Sequence, residues 1–338
     1  MSIFKLTQAL TGSVVCIFVY YPCSLNKAEH RLLVVRYGCQ CAPFRDILWP
    51  NHADQTHIFF ETPNLAPQNL RNQVVSAVGQ LAKGPWCSLS GGRTNRLWRV
   101  GNVVVKQFDI QVQSLLFPND PIAETRALLH LAQHNLAPTL YAAGPNWLAY
   151  HFVEGQSWSQ NSELVAQHLG RLHKISAPET MFRAAPSGSA AVFEMAQRLF
   201  ALCSGPILPP PKFTRVLGLK TPNLIHADVV AGNIIVGPEG LRFIDWQCPA
   251  LGDPAEDLAM FLSPAMQMLY RGQTLSAEDC SQFLAAYPDQ LVVARLQDLK
   301  LLFHYRMAAY CLWRAQNGLK DYQKGYELEK EALERPFY

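Results

Sequence analysis

This chain of 338 residues has little of what would mark it for a membrane, a nucleic acid or a metal cluster. Its apolar run at 14–21, VVCIFVYY, is too short for a bilayer-spanning helix, which needs about 20 residues. Lys5 before that run gives it the look of a signal-peptide core, but no convincing small-x-small cleavage site follows, and no stable membrane insertion is expected. Charge of one sign is equally scarce. The balance of 29 Lys and Arg against 26 Asp and Glu leaves +3, without a basic stripe, so no nucleic-acid partner is expected. The nine cysteines are odd in number and scattered, with neither a CxxC nor a zinc-like ligand spacing. They are expected as reduced thiols in a cytoplasmic protein, with Cys248 a small buried filler. No internal repeat or low-complexity tract is present. The remainder, 49% hydrophobic and 16% charged, describes a globular protein long enough for two lobes.

What is present concentrates in residues 224–257, LIHADVVAGNIIVGPEGLRFIDWQCPALGDPAED. An apolar strand ends at Ile225, and His226, Ala227 and Asp228 occupy the turn after it. Asn233 follows with four residues between it and Asp228. That order and gap match a kinase catalytic loop, in which an Asp takes the proton of a substrate hydroxyl and an Asn binds magnesium. A hairpin is predicted next, with strand 234–236, a turn over 237–240 and a return strand over 241–244. It carries Asp245 back beside Asn233.

Attack of a neutral hydroxyl on a polyanionic phosphate calls for these residue types together. A carboxylate must accept the proton, and metal ions must offset charge on the transferring group. Asp228 suits the first task, and Asn233 with Asp245 the second. Mg2+ takes oxygen ligands and needs only one or two protein carboxylates beside nucleotide phosphates. A lone His-x-Asp is more often a turn or a helix cap. Here polar residues recur at fixed intervals between strands that are otherwise apolar, which favours the catalytic reading.

The segment resembles the aminoglycoside phosphotransferase and choline kinase superfamily, whose signature runs His-Gly-Asp, four residues, Asn, then Ile-Asp-Trp and Gly-Asp-Pro-x-x-Asp-Leu-Ala. Here stand His226-Ala227-Asp228, Asn233, Ile244-Asp245-Trp246 and Gly252-Asp253-Pro254, with Asp257-Leu258-Ala259 completing the last motif. Ala227 departs from the usual Gly and would cost strain if the position needs positive φ. The resemblance covers about residues 75–315. It implies an α+β, two-lobed protein-kinase-like fold, with a small N-terminal antiparallel-sheet lobe and a larger, mainly helical C-terminal lobe. It also implies that His226 and Asp257 brace the loop without transferring protons. At the hinge it implies that the carbonyl of His151 and the amide of Val153 meet the adenine edge of ATP, with Tyr150 at the back of the pocket.

Upstream, a helix is predicted over 70–82, then a strand, a glycine turn and a second strand across 86–100. Gly91 and Gly92, with Asn95 beyond them, are the candidate phosphate-facing turn, because glycine lets backbone amides approach phosphate oxygens. A glycine pair alone is more often a plain hairpin turn. Its place before the strand 103–106 raises its weight, since Lys106 there stands in the context of the kinase strand lysine that contacts the α- and β-phosphates. Glu124 is its candidate partner. Asp120 as cap and Pro121 in the first turn open a helix expected to reach about His134, with Asn135 ending it and Pro138 beyond.

Three regions are expected: a poorly ordered extension over 1–70, a nucleotide-binding lobe over 71–153, and a catalytic and acceptor-binding lobe over 154–338. In the last, helices are predicted over 162–174, 191–202, 256–270, 277–287 and 291–317, with a charged tail from 320 to 334. His168 and His173 are read as packing residues. Trp246, Tyr305, Tyr310 and Trp313 are candidates to flank the acceptor, although core packing is the stronger prior for aromatics. The tail acids Asp321, Glu327, Glu329, Glu331 and Glu334 are read as a solvated face. The expected activity is ATP- and Mg2+-dependent phosphoryl transfer to a hydroxyl of a small molecule. An amino alcohol such as choline or ethanolamine comes first; an aminoglycoside or another hydroxylated metabolite such as a sugar or thiamine is the alternative. A catalytically silent nucleotide-binding regulatory protein is the reading from another class. It predicts loss of Lys106, Asp228, Asn233 or Asp245, and all four are present. Oligomeric state is unknown.

Overall fold

The computed structural model describes residues 8–11, 14–22, 30–37, 65–89, 93–111 and 113–335. Strands β1 (Gln8–Thr11), β2 (Val14–Pro22) and β3 (His30–Tyr37) pair as an antiparallel sheet with β2 in the middle. The apolar run at 14–21 therefore lies in a strand. Residues 65–70 of the expected extension are also described, with a helix starting at Gln68; the rest of that expectation lies outside the described residues. Among the described residues, no helix is long and apolar enough to cross a membrane.

Helix α1 (Gln68–Val78) leads through a 3-10 turn at Gly79–Ala82 into the smaller lobe. Its strands are β4 (Cys87–Leu89), β5 (Arg96–Val100) and β6 (Val103–Gln107). After α2 (Pro121–His130) come β7 (Leu140–Gly144) and β8 (Trp147–His151). They form one five-stranded antiparallel sheet in the order β4-β5-β6-β8-β7. The β5–β6 hairpin closes through Gly101 and Asn102, and Gly101 takes the positive φ of 57° that such a tight turn requires. Strand periodicity then sorts the side chains of β6. Val103 and Val105 pack with Trp98 and Trp147 toward Leu70 and Val74 of α1, whereas Val104 packs with Ala127 and Leu128 of α2. Lys106, two residues after Val104, is delivered to the α2 side.

The cap of α2 is as expected, with Asp120 accepting from the amides of Ile122 and Ala123 and Pro121 in the first turn. The helix ends at His130, four residues short of the expected His134, and the chain leaves through turns to a left-handed Asn135 at φ 54°.

The chain enters the larger lobe through β9 (Gln156–Ser157), which adds to β12 (Ile234–Gly237). Glycine is required on both sides of this crossing. A Cβ on Gly155 would sit 2.4 Å from the Val236 carbonyl oxygen, and one on Gly237 would sit 1.9 Å from that of Glu154. From β5, Arg99 braces the same hinge by pairing with Glu154 at 2.8 Å and lying over the Phe152 ring.

Helix α3 (Ser162–Leu172), β10 (Arg183–Ala184), α4 (Ser189–Phe200) and β11 (Asn223–Ile225) follow. A short 3-10 turn at Ala231–Asn233 precedes β12, which pairs with β13 (Gly240–Phe243) in the predicted hairpin. Then come β14 (Ala250–Gly252), α5 (Pro254–Leu262), α6 (Pro264–Arg271), α7 (Ala277–Ala286), α8 (Gln290–Gln316) and α9 (Tyr322–Glu334). The single helix expected over 256–270 is two, because Pro264 has no amide hydrogen to continue the ladder. Ser263 caps the second by accepting from Met266 N. Helix α8 packs against α4, α5 and α9. One apolar core joins Val104, Leu148 and Tyr150 of the sheet lobe to Leu224, Ile234 and Phe243 behind the loop 226–233, so the lobes are fused at the back of the cleft.

Candidate active site

Strand β11 ends in a loop whose backbone is held from beneath by one carboxylate. Asp257, fully buried on α5, accepts from His226 N at 2.8 Å, from Ala227 N at 2.7 Å and from the His173 ring at 3.1 Å. Ala227 has φ 64°, a left-handed conformation costing a non-glycine residue roughly 1–2 kcal/mol. Its amide bond to Asp257 and its methyl, packed with Ile225, Cys248 and Ala250, help to hold it there.

The tautomer of His226 is fixed by its two partners. Nε2 faces the Ile244 carbonyl at 3.0 Å and must donate, so Nδ1 accepts the Asp228 amide at 3.2 Å. Burial lowers its pKa further. A neutral imidazole with both nitrogens engaged holds the Asp228 backbone against the Ile244 carbonyl. His173, read from the sequence as a packing residue, donates to Asp257 and accepts from the Tyr287 hydroxyl at 2.8 Å. It supports the loop through Asp257.

Asn233 follows the 3-10 turn and spends its amide on Asp228, donating to the backbone carbonyl and to Oδ2, each at 3.0 Å. Its amide oxygen has no hydrogen-bond donor among the described residues. The β12–β13 hairpin returns the chain to it, with Ile244 N bonding Asn233 O at 2.9 Å, and Asp245 follows at φ 62°. Lys106 Nζ bonds Asp245 Oδ1 and lies 2.5 Å from Glu124 Oε2. Lys106 and Glu124 are each 1% exposed, so one cation and one carboxylate are buried together, while Asp245 reaches the Lys106 ammonium from the half-buried floor of the cleft. Burial alone would lower the lysine pKa, but Asp245 and Glu124 more than offset it and the net direction is up. Burial pushes Glu124 up to about 7 against the pull of Lys106. Asp228 is pushed up to about 8, first by burial and then by the charge of Asp245.

Asp228, Asn233, Asp245 and Lys106 line one cavity of about 40 Å3. Asn95 lines it too, but its side chain is fully engaged. It donates to Asn119 at 2.9 Å and to Gln247 at 2.8 Å, and it accepts from Asn119 and from Asp109 N. This amide cluster clasps the two lobes together, and Gln247 in it was not foreseen. Gly91 and Gly92 lie outside the described residues. His151 ends β8, and Val153 follows within the hinge; both are half-buried. The His151 ring meets the Tyr141 hydroxyl at 2.8 Å.

A second cavity of about 40 Å3 meets the first at Asp228. Each has room for on the order of three waters. The walls of the second include Arg93, Tyr270, Tyr310, Arg314 and Tyr322. Arg93 closes the cleft from the sheet lobe by pairing with Asp321 beside α9 at 2.6 Å. An exposed pair of this kind is worth up to about 1 kcal/mol, a latch weak enough to open for ligand entry.

Of the four expected aromatics, only Tyr310 lines this wall. Trp246 is fully buried against the His226 ring at 4.3 Å, Tyr305 packs on Phe200 at 4.9 Å, and Trp313 stands behind Tyr310 at 5.9 Å. The tail acids also divide. Glu329 is fully buried, 2.6 Å from the His304 ring, and Asp321 holds Arg93, while Glu327, Glu331 and Glu334 are exposed. A larger cavity of about 460 Å3, bordered by His173 and Tyr287, lies behind the loop and includes none of Lys106, Asp228, Asn233 or Asp245.

The phosphotransferase enzyme family model matches residues 86–295, a stretch containing all four of these residues. Among solved structures, the choline/ethanolamine kinase family protein from Mesorhizobium loti is 16% identical over 79% of this chain and 96% of that one, with a TM-score of 0.57. A choline kinase from Streptococcus pneumoniae is 17% identical over 78% and 99%, with a TM-score of 0.53. The streptomycin-ATP-APH(2")-IIa ternary complex gives 15% over 79% and 97%, with a TM-score of 0.56. A search of curated proteins found no match. At these identities the likeness establishes the α+β, two-lobed kinase-like fold and leaves the acceptor to the pocket itself.

Proposed function

The chain belongs to the phosphotransferase enzyme family, and we propose that it transfers the γ-phosphoryl group of ATP to a hydroxyl of a small molecule in the cytoplasm. The observation that carries this reading is the single cavity lined by Asp228, Asn233, Asp245 and Lys106. Three of those residues come from the segment 228–245 and the fourth from the opposite lobe. Lys106, held by Glu124, meets the α- and β-phosphates. The amides of the glycine turn at Gly91 and Gly92, and the hinge at His151 and Val153, hold the rest of the nucleotide.

Asp228 is the proton acceptor. Asn233 holds Oδ2, which leaves Oδ1 to take the proton as the acceptor oxygen attacks phosphorus. The bond from the γ-phosphorus to its bridging oxygen breaks, and ADP departs. Burial raises Asp228 above the usual carboxylate range, which makes its ionised form a stronger base for the hydroxyl proton. The donor set fits Mg2+: the amide oxygen of Asn233 and the Asp245 carboxylate are hard oxygen ligands on one wall, and two such donors suffice beside phosphates. Mg2+ there would offset charge on the transferring group.

Of the acceptors suggested by the sequence, amino alcohols, aminoglycosides and thiamine are cations and a sugar is neutral, and the pocket lining bears on that choice. The experiment is ADP release over a panel of hydroxylated metabolites, comparing the wild type with Asp228→Ala. At least one compound is expected to raise wild-type turnover about 100-fold or more above the variant. If nucleotide binds with Mg2+ and no compound does so, the silent nucleotide-binding reading takes its place.

A further inference from the structure

Beyond Asp228 the second cavity is walled by three tyrosines, Tyr270, Tyr310 and Tyr322. Aromatic faces converging on a cavity are the usual means of holding an ammonium group, and an amino alcohol would need them. Here those faces are already taken by the protein's own cations. Arg93 lies over Tyr270 at 5.4 Å and over Tyr322 at 5.3 Å. Arg314 lies over Tyr322 at 5.5 Å and Tyr310 at 5.9 Å.

The two guanidinium groups differ in one respect. Arg93 is neutralised by Asp321 at 2.6 Å. Arg314 takes part in no ion pair among the described residues, and its buried Nε–H has no hydrogen-bond partner. A planar donor fork fixed by ring stacking and left without an acceptor is a receptor for a carboxylate or phosphate. Among the described residues lining this cavity the only carboxylate is Asp228, which the reaction keeps for the hydroxyl proton. A cationic acceptor would therefore meet an unpaired guanidinium with no counter-charge to spare.

Building on the phosphotransferase reading, we propose that the acceptor is a compact hydroxy acid, whose anionic group binds Arg314 while its hydroxyl meets Asp228. An amino alcohol is the charge class that this lining suits least. Arg314 is then the residue that sets acceptor specificity.

The test uses matched pairs of one chain length, 4-hydroxybutyrate against 4-amino-1-butanol and glycolate against ethanolamine, with glycerate, choline and glycerol added. Turnover with MgATP is measured alongside thermal shift with MgADP, in the wild type, Arg314→Gln and Arg314→Lys. Hydroxy acids are expected to bind and to turn over best. Arg314→Gln is expected to raise their KM about 10- to 100-fold with the KM for ATP unchanged, and Arg314→Lys to recover part of the loss. Preference for choline or an amino alcohol overturns the proposal while leaving phosphoryl transfer intact. An equal rise in the KM for ATP overturns it as well, because Arg314 then serves the nucleotide. Binding of hydroxy acids that depends on Arg314, without turnover, supports the site and counts against phosphoryl transfer. Absence of any Arg314-dependent binding or turnover sinks the proposal.

Discussion

On the proposed nucleotide side of Asp228, the charges are Lys106 with Glu124 and Asp245; on the acceptor side they are Arg93 with Asp321, and Arg314. The first set has a buried ion pair, Lys106 with Glu124, at its centre and a half-buried Asp245 at its edge, one cation between two carboxylates. The second is partly open to solvent and carries one guanidinium more than its neighbours satisfy. Buried charges that depend on each other build a fixed receptor, whereas an unspent charge beside stacked rings leaves room for a partner from outside. Their energetics should differ accordingly, since removing one member of a buried pair costs about 3–5 kcal/mol while an exposed pair is worth up to about 1 kcal/mol.

The largest effect is expected where the two sides meet. Asp228→Asn should lower kcat about 100- to 10,000-fold and still fold, because it removes a buried carboxylate while keeping its shape. The pH dependence has a definite sign. Asp228 is raised from 3.8 to about 8 in the folded protein. The stability gained by keeping it neutral is full below its unfolded value and is lost as pH rises through about 8. The Asn variant, scanned thermally without nucleotide or metal, should therefore gain on the wild type as pH climbs across that window and level off above it. A constant offset would count against a strained carboxylate at this position.

Next in size is the triad. Lys106→Met leaves Glu124 buried without its cation and should cost about 3–5 kcal/mol in denaturant unfolding. Adding Glu124→Leu should return most of that stability and none of the activity, which separates the structural from the catalytic use of the pair. By contrast, Asp321→Asn on the acceptor side should change stability by no more than about 1 kcal/mol. Equal costs on both sides would erase the distinction.

Smaller again is the support behind the loop. His173→Ala removes one of three donors to Asp257. It is expected to reduce kcat up to about 100-fold through displacement of Asp228, with little change in either KM. The smallest effect is at Ala227. Ala227→Gly relieves the left-handed strain but frees the unfolded chain and gives up a packed methyl, so calorimetry should find it within about 1 kcal/mol of the wild type, with full activity.

The proposed nucleotide side was legible because its signals are local. Strand, turn and hairpin chemistry carry Asp228, Asn233 and Asp245 within 18 residues, and Asp120 with Pro121 opens the helix that bears Glu124. The acceptor side is assembled from distant chain. Arg93 and Asp321 are separated by 228 residues, and no spacing rule joins them; nor does one join His173 to Asp257 beneath the loop, 84 residues apart. The core helix α8 hides its wall-facing side, because residues 302–312 are all buried. Without a polar stripe there is no periodicity to separate Tyr310, on the cleft, from Tyr305, against α4. His173 is buried and satisfied, as read from the sequence; that its partner is the carboxylate beneath the loop is not visible there, since such a histidine looks alike in either setting.

The most direct measurement is phosphorus-31 NMR of the enzyme with MgATP and a hydroxy-acid panel. A new phosphate-monoester resonance growing in step with ADP for the wild type, and absent for Asp228→Asn, is the predicted result. Bound nucleotide with no new monoester, or one that forms equally fast in both proteins, would contradict the assignment.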